Sequence, residues 1–205
     1  QMLGELFLVL LLMVILDKEK DKGKMLFCSL FFSFGFVVSH YALAEIFLFF
    51  ILAVLVVFVT TRKTSKSITP TFVLWFFTIM FAWYIFTSSC SVYDAFITFG
   101  RRVYNELGDF FILQAREPEI LRGLGLEPPP TIWNLISRLF AYITEALIVI
   151  GFLDIILKRT KIYLNKEYFF FVFTSMLFLG LLVLMPGLSE VMNMTRFYHV
   201  LLFFI

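Results

Sequence analysis

A continuous apolar stretch fills residues 25–60, and no single membrane helix can hold it. As one α-helix its 36 residues would reach about 54 Å, against a bilayer hydrocarbon core of about 30 Å. The chain must turn back inside the stretch, and one polar cluster, from Ser39, His40 and Tyr41 to Glu45, gives it the place to do so. Two spans result, 25–38 and 42–60, with a turn at one membrane face, because an unpaired backbone is not tolerated in lipid.

Further apolar runs cover residues 3–16, 71–89, 132–157 and 168–185, and another opens near residue 197. With 61% hydrophobic residues, 16% charged residues and a mean hydropathy of +0.95, the chain reads as an all-α, polytopic helical membrane protein of about seven spans. The first and last runs are truncated: the nine residues 197–205 cover only about 13 Å. Pro70 marks a helix start, Thr131 after three prolines is placed to cap the helix that follows, and Pro186 with Gly187 marks an end.

The interval 91–131 is too polar to span, so the chain divides into four spans (1–90), an interfacial platform (91–131) and three spans (132–205). Within the platform Phe96, Phe99, Val103, Leu107 and Phe110 recur at helical spacing, with Arg102, Asn105, Glu106 and Asp109 between them, the pattern of a helix lying in the interface plane. Pro118 and Gly123 bracket a short second helix. Lysines and arginines number 4, 3 and 4 in the connections 17–24, 61–70 and 158–167. The positive-inside rule makes those connections cytoplasmic, so the platform is extracytoplasmic on a multi-pass cell-membrane protein.

A net charge of +2, with basic residues scattered in short runs, excludes nucleic acid as a partner. Cys28 and Cys90 fall near opposite ends of different spans, roughly 30 Å apart, which rules out a disulfide between them. No Cys/His pair has metal-ligand spacing, so no metal site is expected and no cofactor can be named.

Ionisable side chains inside spans cost several kcal/mol and commonly have a partner or a task. His40, Tyr41 and Glu45 lie at the outer turn, Arg138 about two turns into the fifth span, and Arg196 with His199 opens the seventh. Arg101 and Arg102 approach from the platform. Glu145 lies seven residues after Arg138 on nearly the same face, about 10 Å deeper along the axis. Cations gathered at one outer depth suit a phosphate-bearing lipid head group. Each residue also has a plainer role open to it. The platform arginines can snorkel to head groups, Arg138 can form a structural pair with a carboxylate, Glu45 can cap the third span and His40 can serve as a hydrogen-bonded turn residue.

The strings VSHYA (38–42), WYIFTSSCSVYDAFITFGRRVYNELGDFF, REPEILRGLGLEPPPTIWNLISRLFAYITEALIVIGF and NMTRFYHVLLFF (193–204) resemble an archaeal family of predicted multi-spanning membrane proteins of unknown function. The layout is also similar to membrane glycosyltransferases that use polyprenyl-phosphate sugars, with interfacial helices over a lipid-phosphate site. That resemblance implies a catalytic carboxylate in the first outer loop, outside this segment, so the catalytic residue here is unknown. The leading expectation is a segment of a glycosyltransferase-like enzyme, with a polyprenyl-phosphate sugar and an extracytoplasmic acceptor as partners. Its ligand-binding candidates are His40, Tyr41, Glu45, Arg101, Arg102, Arg138, Glu145, Arg196 and His199. The alternatives are a transporter or lipid flippase, and a non-catalytic membrane assembly module.

Overall fold

The structure is a computed structural model that describes residues 2–17, 21–88, 91–109, 112, 118–157 and 166–184. Among these, every regular element is helical: α1 (Met2–Leu16), α2 (Lys22–Ser39), α3 (Tyr41–Thr60), α4 (Pro70–Ser88), α5 (Ser91–Glu106), a 3-10 turn (Leu107–Asp109), α6 (Pro118–Gly123), α7 (Ile132–Ile156) and α8 (Lys166–Leu184). Helices α3, α4 and α7 are long and apolar enough to cross a membrane, while α1 and the apolar part of α2 are shorter. The expected count of about seven spans is therefore represented, among the described residues, by three helices of crossing length. Helix α2 begins earlier than expected, inside the basic link, and the run from residue 197 lies outside the described residues.

The long apolar stretch breaks where the polar cluster stands. His40 alone is extended, with φ −158° and ψ 103°, between the last residue of α2 and the first of α3. Helix α1 packs back along α2 in the opposite direction: Gly4 lies against His40 and Leu43, and Phe7 against Gly35. Both glycines let the helices approach to where a side chain would collide, since a Cβ on Gly35 would lie 2.7 Å from the Phe7 ring.

Helix α3 is the centre of the bundle, with nine of its twenty residues buried. On one side Phe47 meets Phe36 of α2 and Phe76 of α4 edge to face, with ring centroids 5.6 and 5.3 Å apart. On the other, Phe50 stacks on Phe171 of α8 at 5.4 Å, and Phe58 meets Phe170 at 4.5 Å. Phenylalanine thus serves as interlocking bulk between helices, with the offset and edge-on geometries that ring quadrupoles favour.

The far end of α3 is tied to the start of α8. The carboxylate of Glu167, buried to 8% exposure, accepts from the Ser65 hydroxyl and from the backbone N–H of Lys66 at 3.2 Å. Ser65 Oγ in turn accepts from the backbone N–H groups of Ser67 and Ile68, so one carboxylate anchors the segment 65–68 of the connection. Lys63 adds its ammonium 5.1 Å from the Phe170 ring centre.

Helix α5 follows α4 and packs against it, and its Asp94, Arg101, Arg102 and Asn105 are exposed. Its expected apolar positions Phe96, Phe99, Val103 and Leu107 have side chains outside the described set, as does Phe110 entirely. Helix α6 has the bounds expected from Pro118 and Gly123, and the chain leaves it through Gly125 at φ +79°. That left-handed conformation costs glycine little and lets the N–H of Gly125 and of Leu126 bond back to Arg122 and Leu121 carbonyls. Thr131 caps α7 as its position implies, its hydroxyl oxygen accepting from the Asn134 N–H at 3.3 Å.

Candidate functional site

The break at His40 makes a recess. Helix α2 ends there, α3 begins, and the last two turns of α4 stand alongside, held by Tyr84, whose hydroxyl donates to the Val37 carbonyl at 3.4 Å, and by Trp83, edge-on to Phe34 at 5.7 Å. Two helix ends meeting one helix side cannot close the space between them. The result is an open cleft of about 370 Å³ lined by Val37, Val38, Ser39, His40, Tyr41, Trp83, Tyr84, Thr87 and Ser88. Its volume lies within the range of about 300–1,000 Å³ usual for small-molecule sites.

His40 has two local tasks here. Its Nδ1 accepts from the Leu43 N–H at 3.3 Å, so His40 is the N-cap of α3, and the neutral ring carries its proton on Nε2. Its ring also lies parallel to that of Tyr41, 18° between planes and 6.1 Å between centres. The capping role considered for Glu45 therefore belongs to His40. Glu45 sits one turn further into α3, half-buried, within electrostatic range of Tyr84.

Three hydroxyls around the cleft are committed to their own helices. Ser39 donates to the Gly35 carbonyl, Thr87 to Trp83 at 2.8 Å and Ser88 to Tyr84 at 2.6 Å. Each donates its proton backwards to residue i−4, as serine and threonine do inside helices, which leaves the oxygen lone pairs as acceptors. Among the described residues neither a lysine, an arginine nor a carboxylate lines the cleft.

The expected site residues divide accordingly. His40 and Tyr41 line the cleft, with Glu45 just beneath. Arg102 pairs with Glu106 one turn along α5 at 3.1 Å, and Arg101 is exposed beside it. Arg138 donates from Nη1 to the backbone carbonyl of Glu127 at 2.8 Å, while the Glu127 carboxylate takes Arg122 at 2.9 Å. Arg138 thus pins the segment entering α7 to the helix itself, a structural task met by a carbonyl instead of the expected carboxylate. Glu145 is exposed on α7, a helix with no buried residue. Arg196 and His199 lie outside the described residues.

Trp83, Tyr84, Thr87 and Ser88 were not singled out by sequence reasoning. Their one signal was spacing: Trp83 with Thr87, and Tyr84 with Ser88, fall four apart on adjoining lines of one helix near its end. No group of three or more histidine, cysteine or acidic side chains fit to hold a metal occurs among the described residues.

No curated protein and no solved structure matches the chain. A family model described as "Predicted membrane protein (DUF2206)" matches residues 23–205, a span that takes in the whole cleft, and the chain accordingly belongs to that family of membrane proteins.

Proposed function

We propose that this chain is the ligand-holding membrane part of a glycosyltransferase-like enzyme that takes a polyprenyl-phosphate-linked sugar at the outer membrane face and offers it to an extracytoplasmic acceptor. The observation that carries this reading is the cleft at the His40 break. It opens at the ends of apolar helices, where the polar head of a membrane-anchored substrate rests while its chain stays in lipid. Exposed Arg101 and Arg102 on α5, the helix that follows the cleft wall in sequence, are the cations proposed to meet the phosphate, Arg102 alongside its pair with Glu106, because arginine forks match phosphate oxygens. Arg138, Arg196 and His199 join them as proposed contacts on the basis of sequence position, and the interval 91–131 as the proposed outer platform.

A transporter places its helix interruptions near the membrane midplane. The break at His40 lies instead at the ends of two helices, beside the last turns of α4, which is why a head-group site is preferred to a translocation path. The test is binding of polyprenyl-phosphate glucose and polyprenyl-phosphate mannose to the full-length protein in nanodiscs. Saturable binding is expected, weakened about tenfold or more when Arg101 and Arg102 are both replaced by glutamine, at two charge-assisted contacts of about 1 kcal/mol or more each. Absence of saturable binding by the unaltered protein would refute the reading.

A further inference from the structure

We infer that the cleft between the α2–α3 break and the end of α4 is the subsite for the uncharged, hydroxyl-bearing ring of the ligand, and that the phosphate stays outside it. This rests on the proposed function above and assigns the parts of that ligand to places. The argument is one of donor and acceptor supply. A phosphodiester has acceptor oxygens and negative charge but no proton to give. Among the described residues the cleft offers it no lysine or arginine, and three of its hydroxyls, on Ser39, Thr87 and Ser88, have already given their protons to helix carbonyls. The donors that remain on Tyr41 and Trp83 are neutral, so a phosphate's charge would be desolvated there without a cation to compensate it.

A sugar ring fits the same walls from the opposite direction. Each of its hydroxyls carries a proton to donate to the oxygens of Ser39, Thr87 and Ser88, and each can accept from the Tyr41 hydroxyl or the Trp83 indole N–H. Its C–H faces are apolar and flat, and three rings line the cleft, those of Trp83, Tyr41 and His40, the last two nearly parallel to one another. Among the described residues no carboxylate lines the space to pair with a cationic amine. The phosphate then lies towards α5, where the exposed arginines are.

The test compares two lipids on the same protein: polyprenyl-phosphate glucose and polyprenyl phosphate without sugar, titrated into full-length protein in nanodiscs, with free glucose as a third arm. The expected result is tighter binding of the sugar-bearing lipid. Trp83→Leu and Thr87→Val should each weaken that lipid by roughly three- to tenfold while leaving polyprenyl phosphate unchanged, the size of one aromatic or hydrogen-bonding contact. Trp83 also packs on Phe34, so Tyr41→Ala, at a residue 57% exposed, supplies a variant whose folding is not at stake. Free glucose competing for the site would show that the ring alone is recognised. Its failure to compete, with the sugar preference intact, would show recognition of the ring only when carried on the lipid, and either result supports the assignment. Equal affinity of the unaltered protein for both lipids, or equal weakening of both by the variants, would overturn the inference and leave the proposed function standing. Failure to bind either lipid would overturn both.

Discussion

Replacing Gly4 with alanine tests whether α1 holds the break at His40 in place. A Cβ at Gly4 would lie 2.8 Å from the Cβ of His40 and 3.5 Å from Leu43 Cδ1. Ordinary contact begins at 3.4 Å, so α1 and the break must part by about 0.6 Å, and a Cβ has no side-chain torsion with which to swing aside. Overpacking of this kind costs about 1–3 kcal/mol, offset by up to about 1 kcal/mol of helix propensity gained from alanine. Gly151→Ala in α7 provides the reference, because nothing lies within 4 Å of its Cβ position and only the propensity gain remains. Gly4→Ala should therefore fall below Gly151→Ala by about 1–3 kcal/mol, a factor of about 5 to 150 in the folded-to-unfolded ratio. Reversible unfolding of the full-length protein by SDS in mixed micelles, followed by far-UV circular dichroism, measures the difference. Equal stability of the two variants would refute the close approach of α1 to the break.

Glu167→Ala removes the acceptor that serves Ser65 and Lys66, and should cost about 1–3 kcal/mol and speed tryptic cleavage at Arg62, Lys63 and Lys66; an unchanged cleavage rate would show that the connection is held by other means. Thr131→Ala should cost about 1 kcal/mol and raise hydrogen exchange at the Asn134 amide, with no change at the Leu43 amide that His40 caps. In a variant with Cys28 and Cys90 replaced by serine, an impermeant maleimide should label Leu124→Cys in intact cells and label Thr64→Cys only after permeabilisation. The reverse pattern would invert the orientation taken from the lysines and arginines.

The break itself was legible because length alone forbids one helix over residues 25–60, and a single polar cluster marked the place. Which side chain would cap the new helix was not, since His40 and Glu45 both stand near its start and only the backbone conformation at His40 decides. The bounds of α6 and the cap on α7 followed from Pro118, Gly123 and Thr131, residues whose local chemistry fixes local structure. The cleft escaped detection because its α4 wall depends on how α4 is rotated against α2, and Trp83 and Tyr84 become neighbours of Phe34 and Val37 only through that packing. The contact of Ser65 with Glu167 joins residues 102 apart, and nothing in either local sequence names the other. Of the arginines read as one cluster, Arg102 pairs within its own helix and Arg138 bonds a carbonyl eleven residues upstream.

Helix α7 leads furthest beyond the described fold. Glu145 stands about 20 Å along the axis from Ile132 and about 16 Å from Ile156, farther from either end than a glutamate side chain can stretch. Acyl chains offer it no proton donor, and hydrocarbon around an unmatched carboxylate carries a penalty of a few kcal/mol. A helix with no fully buried residue among those described, and such a group at its waist, has the character of a seam. Whatever lies against α7 at that level, from this chain or from beyond it, must bring a donor there.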